Sequence, residues 1–517
     1  MKSTLVYLTA SVLGLATSPG VTAQTESSDD GSTLVAHRVE NGSGVELDGR
    51  LDDPEWDHAI PVSDFTQQEP VEGGTPSRET EVRVIYDDTD LIIGAMIYDD
   101  PEGILAYQRQ RDAFLSTDDR FMWILDTFRD GRTGYYFEIN AAGLMGDGIL
   151  GGGGGREFGG GGGGGGGGVN KSWDGIWEAR VARLDQGWSA EIRIPFQTLN
   201  FDPRLDTWGI NFQRTIRRNN EEILWRGYRR NEGLSRPVHA GQLTGLEGMS
   251  QGIGLEARPS SIVGWREVPA NADATTFPRD LSLDLNYSVT SSLRASFSVN
   301  TDFAEVESDQ RRVNLTRFPQ RFPERRAFFL EGSGVFSFAP RSGPQPFFSR
   351  QIGLNEGQQI PIEYGARMTG QVGRYEVGFY QIGTGGETYF DEDEQADASI
   401  PKERFTVARV KRRIFEQSTI GAIYTRRSAG DAGATASPPE VGHTAGVDLD
   451  FTTRHFLGDN NFEMEAFVVW NSNTEPTVDR SFGDLSARGL RFNFPNDLWS
   501  GHLSYREFGE DYDPTMG

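Results

Sequence analysis

An all-β chain in two parts is predicted: a sandwich followed by an antiparallel β-barrel of the transmembrane type. Two observations predict it. Apolar and polar residues alternate with period two in segment after segment, and from about Gly252 these segments lengthen to about eight to ten residues at hairpin spacing. After the N-terminus no run approaches a transmembrane helix, so any membrane insertion has to be by strands.

Composition narrows the function classes. With 517 residues, about two to four domains are expected, and a large β-rich second part reduces this to two. The 76 acidic residues outnumber the 50 basic ones, and a net charge of -26 repels phosphate, which sets nucleic-acid binding aside. Cysteine is absent, so disulfides, thiol nucleophiles and Cys-ligated zinc are excluded together.

The first element is a secretory leader over residues 1–23. Lys2 supplies the positive start, Leu5 to Leu15 a short apolar run, and Val21-Thr22-Ala23 the small residues before cleavage. Thr9, Ser11 and Gly14 interrupt the run, which is too short to span a bilayer. Residues 24–32 form a polar linker.

The sandwich is expected over residues 33–247. In Val45 to Ala59, Leu47 closes a strand, Asp48-Gly49 turns, and Pro54-Glu55-Trp56 begins a helical turn whose indole packs back on the sheet. Thr80 to Asp100 reads as a hairpin around Tyr86-Asp87-Asp88-Thr89-Asp90, with later strands in Asp118 to Asp147 and Trp173 to Leu199. The pattern of an apolar strand ending in Asp-Gly, then Leu-Asp-Asp, a Trp and a small residue resembles family 9 carbohydrate-binding modules. The hairpin and later strands extend that resemblance over roughly 200 residues, a usual domain length.

Within the sandwich, Phe121, Trp123 and Leu125 share one face, as do Tyr135, Phe137 and Ile139, and Trp188, Ala190, Ile192 and Ile194; these are the predicted core. Tyr136, Glu138, Asn140, Glu191 and Arg193 fall on the opposite phase, expected to be open to solvent. The glycine tract at residues 151–168 offers almost nothing to pack and reads as a disordered loop insertion. Gly161 to Ser172 imitates a phosphate loop, but Val169-Asn170 stands where its last Gly belongs, so no nucleotide role is assigned.

The barrel is expected over residues 248–517. Leu293, Ala295, Phe297 and Val299 alternate with polar residues, as do Val447, Leu449 and Phe451, then Phe462, Met464, Ala466, Val468 and Trp470. Glu387 to Ala398 and Ser428 to Gly442 read as long loop tips against otherwise short turns. Arg409, Lys411 and Arg413 share one side of a strand and should line the lumen, whereas Arg412 would have to snorkel. Phe318 to Phe338 is aromatic, basic and Pro-broken, which suits an inward-folded constriction. Leu283 to Phe336, with Val-Asn-Thr-Asp-Phe-Ala-Glu-Val-Glu-Ser-Asp at its centre, resembles an uncharacterised bacterial family joining a family 9-like domain to an outer-membrane barrel. Such barrels run to a terminal aromatic strand, whereas this chain stops at Pro514-Thr515-Met516-Gly517, so the barrel reads as incomplete.

Sugar recognition needs a flat apolar platform and fixed polar groups. Trp173, before an expected strand Ile176 to Ala182, is the platform candidate, and Tyr136, Glu138, Glu191 and Arg193 are the polar ones. Glu138 with Glu191 is the one carboxylate pair that could serve a glycosidase. Gly248-Met249-Ser250-Gln251-Gly252 fits a nucleophile elbow without a strand leading into it and reads as a linker. The six histidines lack metalloprotease spacing. No cofactor is certain, but the resemblance implies structural calcium, for which Asp87, Asp90, Asp118 and Asp119 are the hard oxygen candidates. The resulting expectation is a carbohydrate-binding protein of the Gram-negative outer membrane, with polysaccharide or oligosaccharide and membrane lipid as partners, supporting carbohydrate catabolism. The alternatives are a glycoside hydrolase or its accessory module, and a structural or secretion-linked barrel.

Overall fold

The structure, a computed structural model, describes residues 5–9, 33–40, 45–113, 115–150, 169–171, 173–263, 279–301, 324, 326–355, 358–391, 396–415, 417–430, 441–458, 460–474, 477–514 and 516. The glycine tract and Phe318 to Pro323 lie outside these residues. The protein is all-β, and its described helices are single turns, none long and apolar enough to cross a membrane.

Two sheets face each other in the first part. The larger runs Val169–Asn170, Met145–Leu150, Gly134–Asn140, Arg120–Asp126, Thr207–Ile216, Glu221–Leu224 and Thr66–Glu69, with Gly241–Thr244 and Thr33–Val35 branching from Thr207–Ile216. The smaller runs Glu178–Leu184, Gly187–Pro195, Asp90–Tyr98, Thr80–Tyr86 and His37–Arg38. Strand Glu178–Leu184 begins two residues later than its expected start at Ile176.

The period-two faces meet as a dry core. Trp123 stacks on Phe137 at 5.4 Å with Trp177 edge-on at 5.6 Å, and Trp188, Ile192 and Ile194 approach from the other sheet. Burying each such side chain contributes about 1.5–3 kcal/mol, so the alternation is enough to set the register.

The outer faces are covered as well, which overturns the expectation of an open polar phase. Val45, Leu51, Trp56 and Ala59 pack over Ile85 and Ile92 on the small sheet, and Leu234, with Tyr228 beside it, over Met122, Ile124 and Leu224 on the large one. Tyr136, Glu138, Asn140 and Glu191 are consequently buried, and Arg193 is half-buried with its guanidinium on the Val45 carbonyl at 3.1 Å.

The second part is one twelve-stranded antiparallel sheet. From edge to edge it runs Leu5–Thr9, Ser500–Phe508, Ser486–Pro495, Asn460–Asn471, Val441–Phe456, Ser418–Ala429, Glu403–Ile414, Tyr375–Thr384, Ile362–Val372, Leu293–Thr301, Arg279–Thr290 and Leu255–Val263. Its two edges are not paired to each other, so the sheet is not closed into a barrel among the described residues. Leu5–Thr9, inside the expected leader, pairs with Ser500–Phe508; a free edge presents unpaired N–H and C=O groups to any extended segment.

This sheet is polarised opposite to a water-soluble one. Phe297, Val299, Phe379, Val410, Ile420, Val447 and Leu503 are exposed on one face, while Arg367, Arg409, Lys411, Asp448, Asp450 and Glu465 are buried on the other. Arg409 forks onto Asp448 at 2.7 and 2.8 Å, and Arg412, on the outward phase, lies over the Tyr375 ring at 5.7 Å. Residues 326–352 fold against the inner face, where Phe329, Phe336 and Phe347 pack on Tyr380 and Phe338 on Phe467. Lys411 Nζ and an Arg409 Nη donate to the carbonyls of Gly334 and Ser337, tying this segment down.

Candidate functional site

Glu191 decides how the Asp48-Gly49 turn and Trp56 are held. Its Oε2 accepts the backbone N–H groups of Asp48 and Gly49, both at 2.9 Å, and its Oε1 accepts the Trp56 indole N–H at 3.0 Å. Burial raises this carboxyl, and the three donors draw it back. Gly49 has φ +93°, and a Cβ there would stand 2.7 Å from the Val181 backbone, so only glycine fits. Glu191 is therefore an anchor with its oxygens occupied. It also sits on the outer face of the small sheet, whereas Glu138 sits on that of the large one, so the two are not a glycosidase pair.

The other expected residues divide similarly. Trp173 is buried, leaning on Tyr135 at 5.1 Å and Phe137 at 6.2 Å, which corrects its reading as a free platform; the aromatic core captured it. The calcium candidates are taken by donors. Asp118 Oδ2 accepts the N–H groups of Tyr107 and Gln108 and the Asn140 amide, Asp119 those of Leu105 and Arg217, and Asp87 those of Thr89 and Asp90. Asp90 in turn accepts the Thr89 hydroxyl at 2.9 Å. Among the described residues no group of three or more His, Asp or Glu is placed to hold a metal, so this donor set does not fit calcium. Ser250 accepts the Gly252 N–H and donates its own N–H to Asp88, as a turn does.

A constellation does form at the edge of the large sheet, around Gly134–Asn140, Met145–Leu150 and Val169–Asn170. Glu138 accepts the Tyr136 hydroxyl at 2.9 Å, pairs with Lys171, and has Arg120 at 3.6 Å. Beside it, Arg111 bridges Asp147 and Asp174 at 2.5 and 2.7 Å, and Asp147 also accepts the Trp177 indole N–H at 2.6 Å. Gly146 joins the halves: a Cβ there would lie 3.0 Å from Glu138 Oε1 and 3.5 Å from Asp112 Oδ1. Burial pushes the Asp147 carboxyl up to about 6 against the pull of Trp177 and Arg111, and its Oδ1 has no hydrogen-bond partner among the described residues.

The segment 105–112 lies along this edge, since the Gln108 carbonyl accepts from Asn140 at 2.8 Å and the Asp112 N–H reaches the Met145 carbonyl. It carries Tyr107, 68% exposed and the one aromatic among the exposed large apolar residues of the sandwich's described part. Of the constellation, only Tyr136 and Glu138 were singled out by alternation. Tyr107, Arg111, Asp112, Arg120, Asp147, Lys171 and Asp174 were missed, because most lie on irregular chain that has no period. The run Tyr107-Gln108-Arg109-Gln110-Arg111-Asp112, without one aliphatic residue, was the available signal.

Comparison with known proteins gives a partial match. Residues 265–369 match the model of a domain of unknown function, DUF5916, a span that contains Leu283 to Phe336. No curated protein matches the chain. Among solved structures, a family 9 carbohydrate-binding module from Caldicellulosiruptor kristjanssonii in complex with cellotriose is 17% identical, with a TM-score of 0.29 over 42% of this chain and 95% of that one. The same module in complex with glucose gives 17% and 0.29 over 43% of this chain and 99% of that one. Neither likeness bears on what this chain binds.

Proposed function

We propose that this protein binds carbohydrate through its sandwich while the twelve-stranded sheet holds it in the outer membrane of a Gram-negative bacterium. The constellation at the sandwich edge carries the reading. Four carboxylates (Asp112, Glu138, Asp147, Asp174) stand among three cations (Arg111, Arg120, Lys171), so the site is close to neutral while dense in donors and acceptors. A phosphate or a polycation would meet groups of the wrong sign. A neutral polyol, each hydroxyl both donor and acceptor, is satisfied by such a mixture, and Tyr107 offers a ring face for its C–H side. The family 9 resemblance of Val45 to Leu199 points the same way.

The membrane half of the proposal rests on the inverted polarity of the long sheet. Each exposed Phe, Val or Leu forgoes in water part of the about 1.5–3 kcal/mol that full burial contributes, a deficit lipid removes, and strands can insert where helices are lacking. A leader cleaved after Ala23 completes the route; its removal takes away the edge strand Leu5–Thr9 and leaves the other eleven strands to hold the protein in the membrane.

Full-length protein in detergent should be retained on at least one member of a glycan array. Tyr107→Ala and Arg111→Ala should each weaken that binding about tenfold, the loss of one stacking or charge-assisted contact of about 1.4 kcal/mol, with circular dichroism unchanged. Retention of the wild type on no glycan leaves a structural or secretion-linked role. Release of reducing ends from the bound glycan would instead support a hydrolase.

A further inference from the structure

The twelve-stranded sheet has two unlike ends. At one, strands join through turns of two to four residues: Thr290 to Leu293, Val372 to Tyr375, Ile414 to Ser418, Phe456 to Asn460 and Pro495 to Ser500. At the other, the connections are long, the largest running from Thr301 to Ile362.

The sandwich sits on the short-turn end. Phe201 N–H donates to the Ser291 carbonyl at 2.9 Å, and Gln371 Nε2 to Asp130 at 3.0 Å. Arg132 enters the sheet between strand ends, donating to the Gln417 carbonyl at 2.9 Å, Thr419 Oγ1 at 3.1 Å and Asp450 at 2.9 Å. The two remaining turns are met electrostatically: Glu232 and His239 lie in the field of Arg454, and Arg230 in that of Asp497. Three of the five short turns are thus hydrogen-bonded to the sandwich, and the charges of the other two lie near charged groups of the same domain.

Outer-membrane strands are joined by short turns on the periplasmic side and by longer loops outside. We infer that the sandwich is docked on the periplasmic face of the outer membrane, and that its ligand is a soluble oligosaccharide already inside the cell envelope rather than an insoluble polysaccharide at the cell surface. The second half rests on the carbohydrate reading above, and the first on the outer-membrane placement alone.

Because the chain has no cysteine, single cysteines report sidedness cleanly. Thr477→Cys places one in the long connection from Asn471 to Ser486, and Asp185→Cys one at the exposed turn between Glu178–Leu184 and Gly187–Pro195. In full-length protein in a Gram-negative host, a membrane-impermeant maleimide should label Thr477→Cys on intact cells. It should label Asp185→Cys about tenfold more once the outer membrane is permeabilised. Labelling of Asp185→Cys on intact cells, or protection of Thr477→Cys there, overturns the orientation. Purified protein should bind at least one member of a panel of soluble cello-, xylo- and malto-oligosaccharides, while intact expressing cells fail to adhere to particles of the parent polysaccharide; adherent cells overturn the ligand class. Purified protein that binds no glycan defeats the carbohydrate reading and leaves the labelling result standing.

Discussion

Glu191 holds three N–H donors, two of them buried, from a segment about 140 residues away, so its removal strands all of them at once. Glu191→Ala should destabilise the sandwich by about 3 kcal/mol or more, and Glu191→Gln by less because one acceptor oxygen remains, as read from thermal denaturation. His239 is the residue through which acid should act. Burial, with Arg236, Arg454 and Arg229 adding to it, pushes its pKa down to about 4. Below about pH 6.5 the unfolded chain takes up a proton that folded His239 refuses, so stability falls as pH drops through this window and levels off near pH 4. The effect is at most about 3 kcal/mol, and His239→Gln should flatten that part of the stability profile relative to wild type. The polar phase holding Tyr136, Glu138 and Glu191 was legible from alternation; that other segments cover it was not, because period two tells one face from the other and says nothing about what lies on top.

At the scale of elements, hairpins were the most legible feature. Thr80–Tyr86 and Asp90–Tyr98 pair across the turn expected at Tyr86 to Asp90, since local alternation and turn chemistry agree there. Phe318 to Phe338 read as neither strand nor solvated loop and was expected to fold inward; the described stretch, residues 326–338, does so, and its placement depends on small residues from distant strands. A Cβ on Gly378 would stand 2.6 Å from the Phe336 ring, so Gly378→Leu should push that ring off the inner face. The expected readout is a new protease site within residues 326–352. Arg132 is the comparable pin between the two parts. Arg132→Met keeps the side-chain length and removes three donated bonds, while Asp450 retains Arg341 at 2.8 Å. It should cost about 1–3 kcal/mol of docking and split one thermal transition into two by calorimetry.

On the scale of the whole molecule, the exposed apolar face of the long sheet and its buried charges make the same claim from two sides. The protein should fractionate with the outer membrane and aggregate when detergent is withdrawn. Free dissolution without detergent would remove the membrane from the account and leave the sandwich site untouched.

By itself the sequence determined the all-β class, the change from short to long strands near Gly252, the aromatic core of the sandwich and the outward apolar phase of the later strands. All of these depend on neighbours close along the chain, where the two-residue repeat and turn propensities act. Only the tertiary structure decided that Trp173 is core, that Glu191 is an anchor, that Asp118 and Asp119 are spent on backbone amides, and that Arg111, Asp147 and Lys171 meet Glu138. It also decided that the sandwich sits on the short-turn end of the long sheet. Each of those contacts joins residues that alternation treats independently, and their partners are chosen by which long-range burial satisfies the most hydrogen-bonding groups.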